Sequence, residues 1–451
     1  MTAPAFAAIV LAAGKGTRMK SARPKVLHPV ANRPMIRHVL DAVATLGPTR
    51  TVVVVAPGME AVAEAAAPAA TAIQEEQLGT GHAVMAARPA LEGASIDDIL
   101  ILCGDTPLLT GESLGRLLAE RRRRQAGIAV LGMRPPEPGA YGRMIERDGM
   151  LEAIVEAKDA PPEVLAVPLC NAGVFAADAA LLWRLLARVD RRNAQGEYYL
   201  TDIVGLARGE GVPVVAVEAP HEETAGINSR AELAAAEAAM QRRLRARHMA
   251  AGVTLTAPET VFFSADTVLG RDVAIGPFTV FGPGCVVEDG AEILGFCHFA
   301  GAVIRAGAIV GPYSRLRPGA EIGEDAHVGN FVEVKASRLG KGAKANHHAY
   351  IGDTEIGAKA NIGAGTITVN YNGFTKERTV IGDGAFIGSN SALVAPVTVG
   401  AGAIVGAGSV ITRDVAADAL ALERSPQVEK PGAARAFREK RAAAKAARAK
   451  K

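Results

Sequence analysis

The feature that most restricts what this chain of 451 residues can fold into is a period of six in its second half. Leu269, Ile275, Phe281, Val287, Ile293 and Phe299 are each six apart. Ile304, Val310, Leu316, Ile322, Val328 and Val334 resume the spacing after a step of five, and Ile381, Ile387, Leu393, Val399, Val405 and Ile411 carry it again. An α-helix turns about 600° in six residues, which would scatter these side chains over three faces. One long strand fails as well, because glycine follows many of them, as in Ile275-Gly276, Ile322-Gly323 and Ile387-Gly388, and glycine at that frequency weakens a strand. A coil of short strands does fit, with a turn after each and every large aliphatic pointing inward. This is the hexapeptide repeat of a parallel β-helix. The step shortens to five between Phe299 and Ile304, Val334 and Leu339, and Ile351 and Ile356, and around Tyr371 to Arg378 a loop leaves the coil.

The first half has a different rhythm. Ala7–Leu11, Thr51–Val55, Ile99–Cys103, Ile128–Leu131 and Val214–Val217 are short apolar runs of strand length. Between the first two, Met35, Ile36, Val39, Leu40, Val43 and Leu46 recur at helical spacing, with Pro34 near the first turn and Gly47 just past the end. Strands alternating with helices predict a mostly parallel α/β sheet with its ligands at the strands' carboxyl ends. Ser229 and Glu232 form a capping box that starts an alanine-rich, charged helix running to Gly252, and its composition suits a connector between the halves. The expected division is therefore 1–228 for the α/β domain, 229–251 for the connecting helix, 252–430 for the β-helix and 431–451 for a tail.

Charge narrows the choice of partners. The formal net charge is +3, but the stretch from Ala433 to Lys451 alone holds eight Lys or Arg against one Glu, so the rest of the chain sums to −4. That distribution excludes a uniformly basic nucleic-acid binder. The four cysteines, Cys103, Cys170, Cys285 and Cys297, form no CxxC pair, which fits a reducing, cytoplasmic setting rather than a zinc site or disulfide framework. The opening MTAPAFAAIVLAAG lacks a basic leader and passes straight into a glycine-rich loop, so it reads as a buried first strand and not a signal peptide. No apolar stretch of 18 residues predicts a membrane span.

After the first strand comes LAAGKGTRM. It is neither a Walker A loop nor a dinucleotide fingerprint, since Met19 stands where a third glycine belongs. Gly14 and Gly16 let backbone approach phosphate oxygens, and Arg18 and Lys25 supply positive charge. In ILILCGDTPLL, Asp105 falls just beyond a buried strand, where a carboxylate can hold Mg²⁺ or simply cap a turn. In the second half, RLRPGA, FVEVKAS, KANHHAYIGD and ANIGAGTITVNYNG interrupt the repeat with polar residues, and loops on a rigid solenoid are natural places for a site.

LAAGKGTRM…PKVLH, QEEQLGTGHAV, CGDTPLL, YGRMI, IVEAKDA, NAGVF, EYYLTDI and GIN occur in that order. In this the chain resembles the sugar-1-phosphate nucleotidyltransferase family. With the β-helix attached, it is similar over residues 5–430 to the bacterial bifunctional branch that makes UDP-N-acetylglucosamine. The resemblance implies a Rossmann-like nucleotidyltransferase domain followed by a left-handed parallel β-helix, assembled as a homotrimer. It implies transfer of UMP from UTP to N-acetylglucosamine-1-phosphate, and acetyl transfer from acetyl-CoA to glucosamine-1-phosphate, with Mg²⁺ as cofactor. Leu11, Ala12, Ala13, Gly14 and Lys25 would then line the UTP site, and Gln74, Gly79 and Thr80 would read the uracil. Gly142, Glu156 and Asn171 fall on the sugar motifs, and Asp105 and Asn228 on the metal ligands. Cys103 departs from the tyrosine that relatives often carry.

Moving an acetyl group from a thioester to an amine needs a base, a task that suits imidazole. KANHHAY offers His347 and His348; the family pattern Lys-x-x-His-Leu-x-Tyr selects His347, with Tyr350 fixing the register. The same resemblance assigns Arg317, Lys335, Tyr350 and Asn361 to the acceptor sugar, the two cations facing its phosphate. Asn370 and Tyr371 lie with Lys376 on the excursion and extend that group toward the acetyl-CoA contacts, which are Ala364, Ser389, Ala407 and Arg424. The alternative reading is a single-activity nucleotidyltransferase whose β-helix only oligomerises.

Overall fold

The computed structural model describes residues 4–14 and 16–449. The chain divides into two compact units, the first made of residues up to Ala250 with Val261–Thr267, the second of Ala251–Thr260 with the chain from Val268 onward.

In the first unit the apolar runs form β1 (Phe6–Leu11), β2 (Arg50–Val55), β3 (Ala70–Ile73), β4 (Asp98–Cys103), β5 (Ile128–Met133), β6 (Arg143–Arg147), β7 (Met150–Val155), β8 (Cys170–Asp178) and β9 (Val214–Glu218). Their order is β9-β5-β8-β4-β1-β2-β3, with the β6–β7 hairpin attached to β8. β1 pairs in parallel with both β2 and β4. Side chains of the central strands are buried on both faces, Ala8 and Val10 in one core and Ala7 and Ile9 in the other, as covered parallel strands require. Helix α1 (Met35–Ala44) lays Ile36, Val39, Leu40 and Val43 into the first of these cores. Pro34 precedes it, and Gly47 follows with φ +64°.

Sequence reading misses β8, which runs antiparallel to both β4 and β5. Gly173 in its middle looks like a strand breaker, but it takes φ +74° at a register shift between Asn171 and Phe175, and the strand continues beyond the bulge. The alanine-rich helix α2 spans Arg230–Ala250. It belongs to the first unit and buries Ala236, Ala239, Met240 and Leu244 there, and Gln241 exchanges two hydrogen bonds with the Phe263 backbone. Small alanines let this helix pack closely.

The second unit is a three-sided coil. Its strands form sheets of ten, eight and eight members, here called faces I, II and III, and within each face a strand pairs in parallel with the strand three later in the chain, except at the two ends of face I, where it is two later. Face I runs from Thr254–Leu255 to Leu420–Ala421, face II from Val268–Leu269 to Val397–Val399, and face III from Val280–Phe281 to Val410–Ile411. Val310 pairs with Val328, eighteen residues on, whereas Ile322 pairs with Leu339, seventeen on. Each shortened step in the sequence thus removes one corner residue and leaves the faces aligned. All but Leu269 of the repeat's aliphatics are buried. The coil also continues through the polar stretch, where Ala345 and Thr368 fill inward positions. Thr368 fits because its hydroxyl accepts from the Gly352 N–H at 2.8 Å and donates to the Gly352 carbonyl at 3.2 Å. Beyond the coil, the tail forms a helix over Ala433–Arg448 with no buried residue.

The glycine that follows many of the inward aliphatics has a steric cause. A Cβ on Gly276 would meet Gly295 N at 2.4 Å, one on Gly382 would meet Ala401 N at 2.4 Å, and one on Gly388 would meet Ala407 N at 2.4 Å. Backbone of the next turn leaves no room. Gly382→Ala should therefore cost about 1–3 kcal/mol, seen as an earlier thermal unfolding of the coil with nucleotidyl transfer at low temperature unchanged. A second test uses His248, whose ring burial, aided by Arg247, holds its pKa down to about 4. The unfolded chain would bind that proton near 6.5, so stability from the neutral ring is complete above pH 6.5 and declines as pH falls toward 4. In a His248→Gln variant, Tm should decline less steeply than in the parent between those two values.

Candidate active sites

β1 and β4 lie side by side, Leu11 against Cys103, and end at one edge of the sheet. The loops that follow stay tied to the ladder: Ala12 N–H donates to the Val54 carbonyl at 2.8 Å, and Gly104 N–H to the Leu11 carbonyl at 2.9 Å. At that edge opens a cavity of about 370 Å³. Leu11, Ala12, Ala13, Gly14, Lys25, Gln74, Gly79, Thr80 and Asp105 all line it, as do Val26, Gln77, Ala83, Cys103 and Glu197. Gln77 and Glu197 sit inside the motifs QEEQLGTG and EYYLTDI, which was the signal available for them. The Gln77 amide donates to the Ala13 carbonyl at 2.7 Å and so steadies the glycine-rich loop.

Two glycines are required by shape. Gly16 has φ +59°, and a Cβ there would lie 2.6 Å from the Lys25 Cβ; Gly79 has φ +108°, and a Cβ there would lie 2.6 Å from the Tyr198 carbonyl. The first brings Lys25 against the loop. The second lets Thr80 approach the Tyr198–Leu200 segment, where its hydroxyl accepts from Leu200 N–H at 3.0 Å. Gln74 is buried, and its amide NH₂ donates to the Gly79 carbonyl and meets a His82 ring nitrogen, each at 3.1 Å.

Charge converges on one point. The Lys25 ammonium pairs with the Asp105 carboxylate and donates to Asn228 Oδ1 at 3.0 Å. Asn228 is held by the cap of α2: its N–H donates to Glu232 Oε2 at 2.6 Å, while Glu232 N–H donates to Ser229 Oγ at 3.2 Å. A cationic group thus rests between two hard oxygen donors, the donor type that suits Mg²⁺. Among the described residues no group of three or more His, Cys, Asp or Glu comes together, so a Mg²⁺ here would take its other ligands from phosphate and water.

Gly142, Glu156 and Asn171 form a neighbouring cluster. Asn171 N–H donates to the Gly142 carbonyl at 2.8 Å, and a Cβ on Gly142 would be 3.4 Å from each Glu156 carboxylate oxygen. Burial raises the Glu156 pKa, while Thr201 hydrogen-bonds its carboxylate at 3.2 Å. Cys103, whose Sγ lies 3.8 Å from the Gly173 carbonyl, stands between this cluster and the main cavity. Its thiol is pushed up to about 12 by burial and then by Asp105, which rules it out as a nucleophile at neutral pH. Arg18 is not brought in. It is exposed on a short turn (Thr17–Met19) and forms no part of the cavity wall.

In the coil the predicted residues fall into two groups. On and beyond the end of face III, Arg317 pairs with Glu333 at 2.9 Å and Lys335 approaches Asp353 at 3.7 Å. The space above Gly352 is filled by Tyr350 Oη and Asn370 Nδ2. Tyr371 and Lys376 bridge across the base of the excursion. Lys335 lies close enough to Lys376 to lower the latter's pKa. Cations crowded in this way ask for a multiply charged anion.

The other group follows the corner after face I. His347, Ala364, Ser389 and Ala407 each come two residues after the inward residues Ala345, Ile362, Ile387 and Val405. They stack turn upon turn: a Cβ on Gly363 would meet Ser389 N at 2.6 Å, and one on Gly388 would meet Ala407 N at 2.4 Å. Arg424 closes the column by donating to the Ala407 carbonyl at 2.8 Å. Asn361 lies on face I between Lys344 and Phe386, apart from the cations it was grouped with. His347 and His348 separate clearly. The His347 ring meets Asn330 Oδ1 at 2.8 Å, whereas His348, at φ +44°, stacks on Phe331 with ring centroids 5.0 Å apart.

Comparison with known proteins agrees with both halves. Residues 8–245 match the MobA-like NTP transferase domain, and residues 301–336 and 378–413 match the bacterial transferase hexapeptide. The bifunctional protein GlmU of Rhodospirillum rubrum is 60% identical over 96% of this chain and 97% of its own. That of Acidiphilium cryptum is 59% identical over 96% and 98%, and that of Paramagnetospirillum magneticum 56% identical over 99% of both. With a nucleotidyltransferase sheet, a hexapeptide coil of the left-handed β-helix type and identity of this extent over the full length, the chain belongs to the GlmU family of bifunctional uridylyl- and acetyltransferases that make UDP-N-acetylglucosamine.

Proposed function

We propose that the sheet-edge cavity binds UTP and N-acetylglucosamine-1-phosphate, and that the coil transfers acetyl from acetyl-CoA to glucosamine-1-phosphate. The observation that carries this is the convergence of Lys25, Asp105 and Asn228 at the mouth of the parallel sheet. In the uridylyl transfer a phosphate oxygen of the sugar phosphate attacks the α-phosphorus of UTP, and the bond to pyrophosphate breaks. Both reactants are anions, so the chain's work is to position them and offset their charge. Gly14 offers open backbone to the phosphates, and Lys25 moves from Asp105 to phosphate oxygen. Asp105 and Asn228 would hold Mg²⁺, which when bound supplies positive charge at the phosphates. Gln74, its amide NH₂ already engaged, presents Oε1 to the uracil. Glu156, Asn171 and Gly142 receive the sugar. Arg18, exposed as it is, contributes long-range attraction for the anions.

In the coil, His347 takes the proton that the substrate ammonium loses as its amine attacks the thioester carbonyl; the carbon–sulfur bond breaks and coenzyme A leaves, taking a proton to become the free thiol. The column of Ala364, Ser389 and Ala407 receives the pantetheine arm, with Arg424 at the phosphate end and Asn370 and Tyr371 flanking. Arg317, Lys335 and Lys376 bind the sugar phosphate, and Tyr350 and Asn361 its ring. Base and cations lie at opposite edges of face III in one chain. This supports a site completed by a neighbouring copy, as in a homotrimer. The four cysteines are thiols rather than disulfides, which supports a reducing, cytoplasmic location, and no helix among the described residues is long and apolar enough to cross a membrane.

The two activities can be tested separately by following pyrophosphate and free thiol. Lys25→Ala should lower pyrophosphate release about 10²- to 10³-fold and leave thiol release intact, and chelating Mg²⁺ should stop the former alone. His347→Ala should lower thiol release about 10²- to 10⁴-fold with uridylyl transfer unchanged. If thiol release persists at the parent rate in that variant, the coil does not use His347 as its base.

A further inference from the structure

His347 is not free to turn. It ends the strand Lys344–His347, which pairs with His327–Asn330 on the preceding turn, and the register places Asn330 directly beside it. The Asn330 amide oxygen lies 2.8 Å from His347 Nδ1. An amide oxygen can only accept a hydrogen bond, so the contact requires a proton on Nδ1 and leaves the lone pair on Nε2.

The next residues reinforce the arrangement. Phe331 follows Asn330 and His348 follows His347, and these two stack at 5.0 Å with an interplanar angle of 26°. Both sit in left-handed backbone, at φ +58° and +44°. The stack continues down the same corner through Tyr313, Phe296 and Phe278 at 5.2, 4.9 and 4.9 Å. Two dipeptides on consecutive turns are therefore clamped one above the other, by a hydrogen bond and by a ring pair. Lys344 and His327, the other basic side chains on these strands, pair with each other through the backbone, and the charges of Lys344 and His347 help burial to lower the His327 pKa.

We propose that Asn330 is a positioning residue for acetyl transfer: it fixes the His347 ring and its tautomer so that Nε2 faces the substrate amine as the base. The amine proton moves to Nε2 as the carbon–nitrogen bond forms; the resulting imidazolium keeps its Nδ1–H bond to the amide and gives the Nε2 proton to the coenzyme A sulfur as the carbon–sulfur bond breaks. Because Asn330 carries no charge, it orients the ring in both protonation states. This rests on His347 being the base.

The test compares Asn330→Ala, Asn330→Asp and His347→Ala in the full-length protein. Thiol release is measured against pH, and the imidazole ¹⁵N shifts of His347 report the tautomer. Asn330→Ala should lower kcat for acetyl transfer about 10- to 100-fold with KM for acetyl-CoA within about twofold, and should mix the two tautomers. Asn330→Asp, which keeps the acceptor but adds a charge, should restore most of the rate and shift the acidic limb of the profile to higher pH. Uridylyl transfer should stay constant throughout and report intact folding. If the parent's neutral His347 carries its proton on Nε2, or if Asn330→Ala keeps acetyl transfer within about twofold while His347→Ala abolishes it, the role of Asn330 is refuted with His347 still the base. If His347→Ala is itself without effect, the underlying assignment falls first.

Discussion

Half of this molecule depends on how closely one turn of backbone can lie on the next. Parallel strands pair at roughly 4.8 Å, and in the coil that spacing is maintained through corners as well as along faces. At Gly276, Gly357 and Gly382, each just after an inward aliphatic, the next turn's backbone stands where a Cβ would be, 2.4 Å away. Glycine there is a requirement of geometry, and it marks those turns in the sequence. The same closeness stacks the corner column after face I, where Ala364 and Ala407 project no more than a methyl group.

The first unit solves a different problem, which is to hold charged groups at the mouth of a cavity without leaving buried charge unpaired. Its answer is an internal cation. Lys25 lies between Asp105 and Asn228, with about 14% of its side chain exposed and about 16% of Asp105's. Unpaired charges so nearly buried would be costly, and each of these groups finds its partner within the site. In the function proposed above, a substrate phosphate would take the ammonium and a metal ion would take the oxygens, so each group would exchange one partner for another. The cap of α2 supplies Asn228 to this arrangement, which ties a helix start to the site.

Much of this was legible beforehand, for physical reasons that differ between the halves. The coil declared itself because its constraint repeats: Ile-Gly pairs at fixed spacing suit stacked turns and suit neither a helix nor a long strand. Where the constraint was met by unusual residues, as with Ala345 and Thr368, the pattern faded although the fold did not. In the sheet, β1, β2 and β4 were visible as aliphatic runs, whereas β8 was hidden by a glycine that makes a bulge. Of the residues singled out for uridylyl transfer, those on tight loops beside strand ends came together at the cavity, because such loops have little freedom. Arg18, on an exposed turn, did not. In the coil, periodicity located each residue along a turn but not the face it would occupy. It could not foresee that Asn361 would lie apart from Arg317 and Lys335, nor that Asn330 would meet His347 across seventeen residues of chain.

The excursion between Tyr371 and Arg378 has a consequence of its own. Leu339 pairs with Ile356 seventeen residues later, whereas Ile356 pairs with Ile381 after twenty-five. The chain leaves, adds residues, and returns to the same face in the same register, with Thr354 against Thr379. At this turn the count of residues is released from the spacing of the turns. Length and composition can vary here without shifting any residue above or below, so the loop is free to change with the ligands it borders while the solenoid that carries it stays fixed.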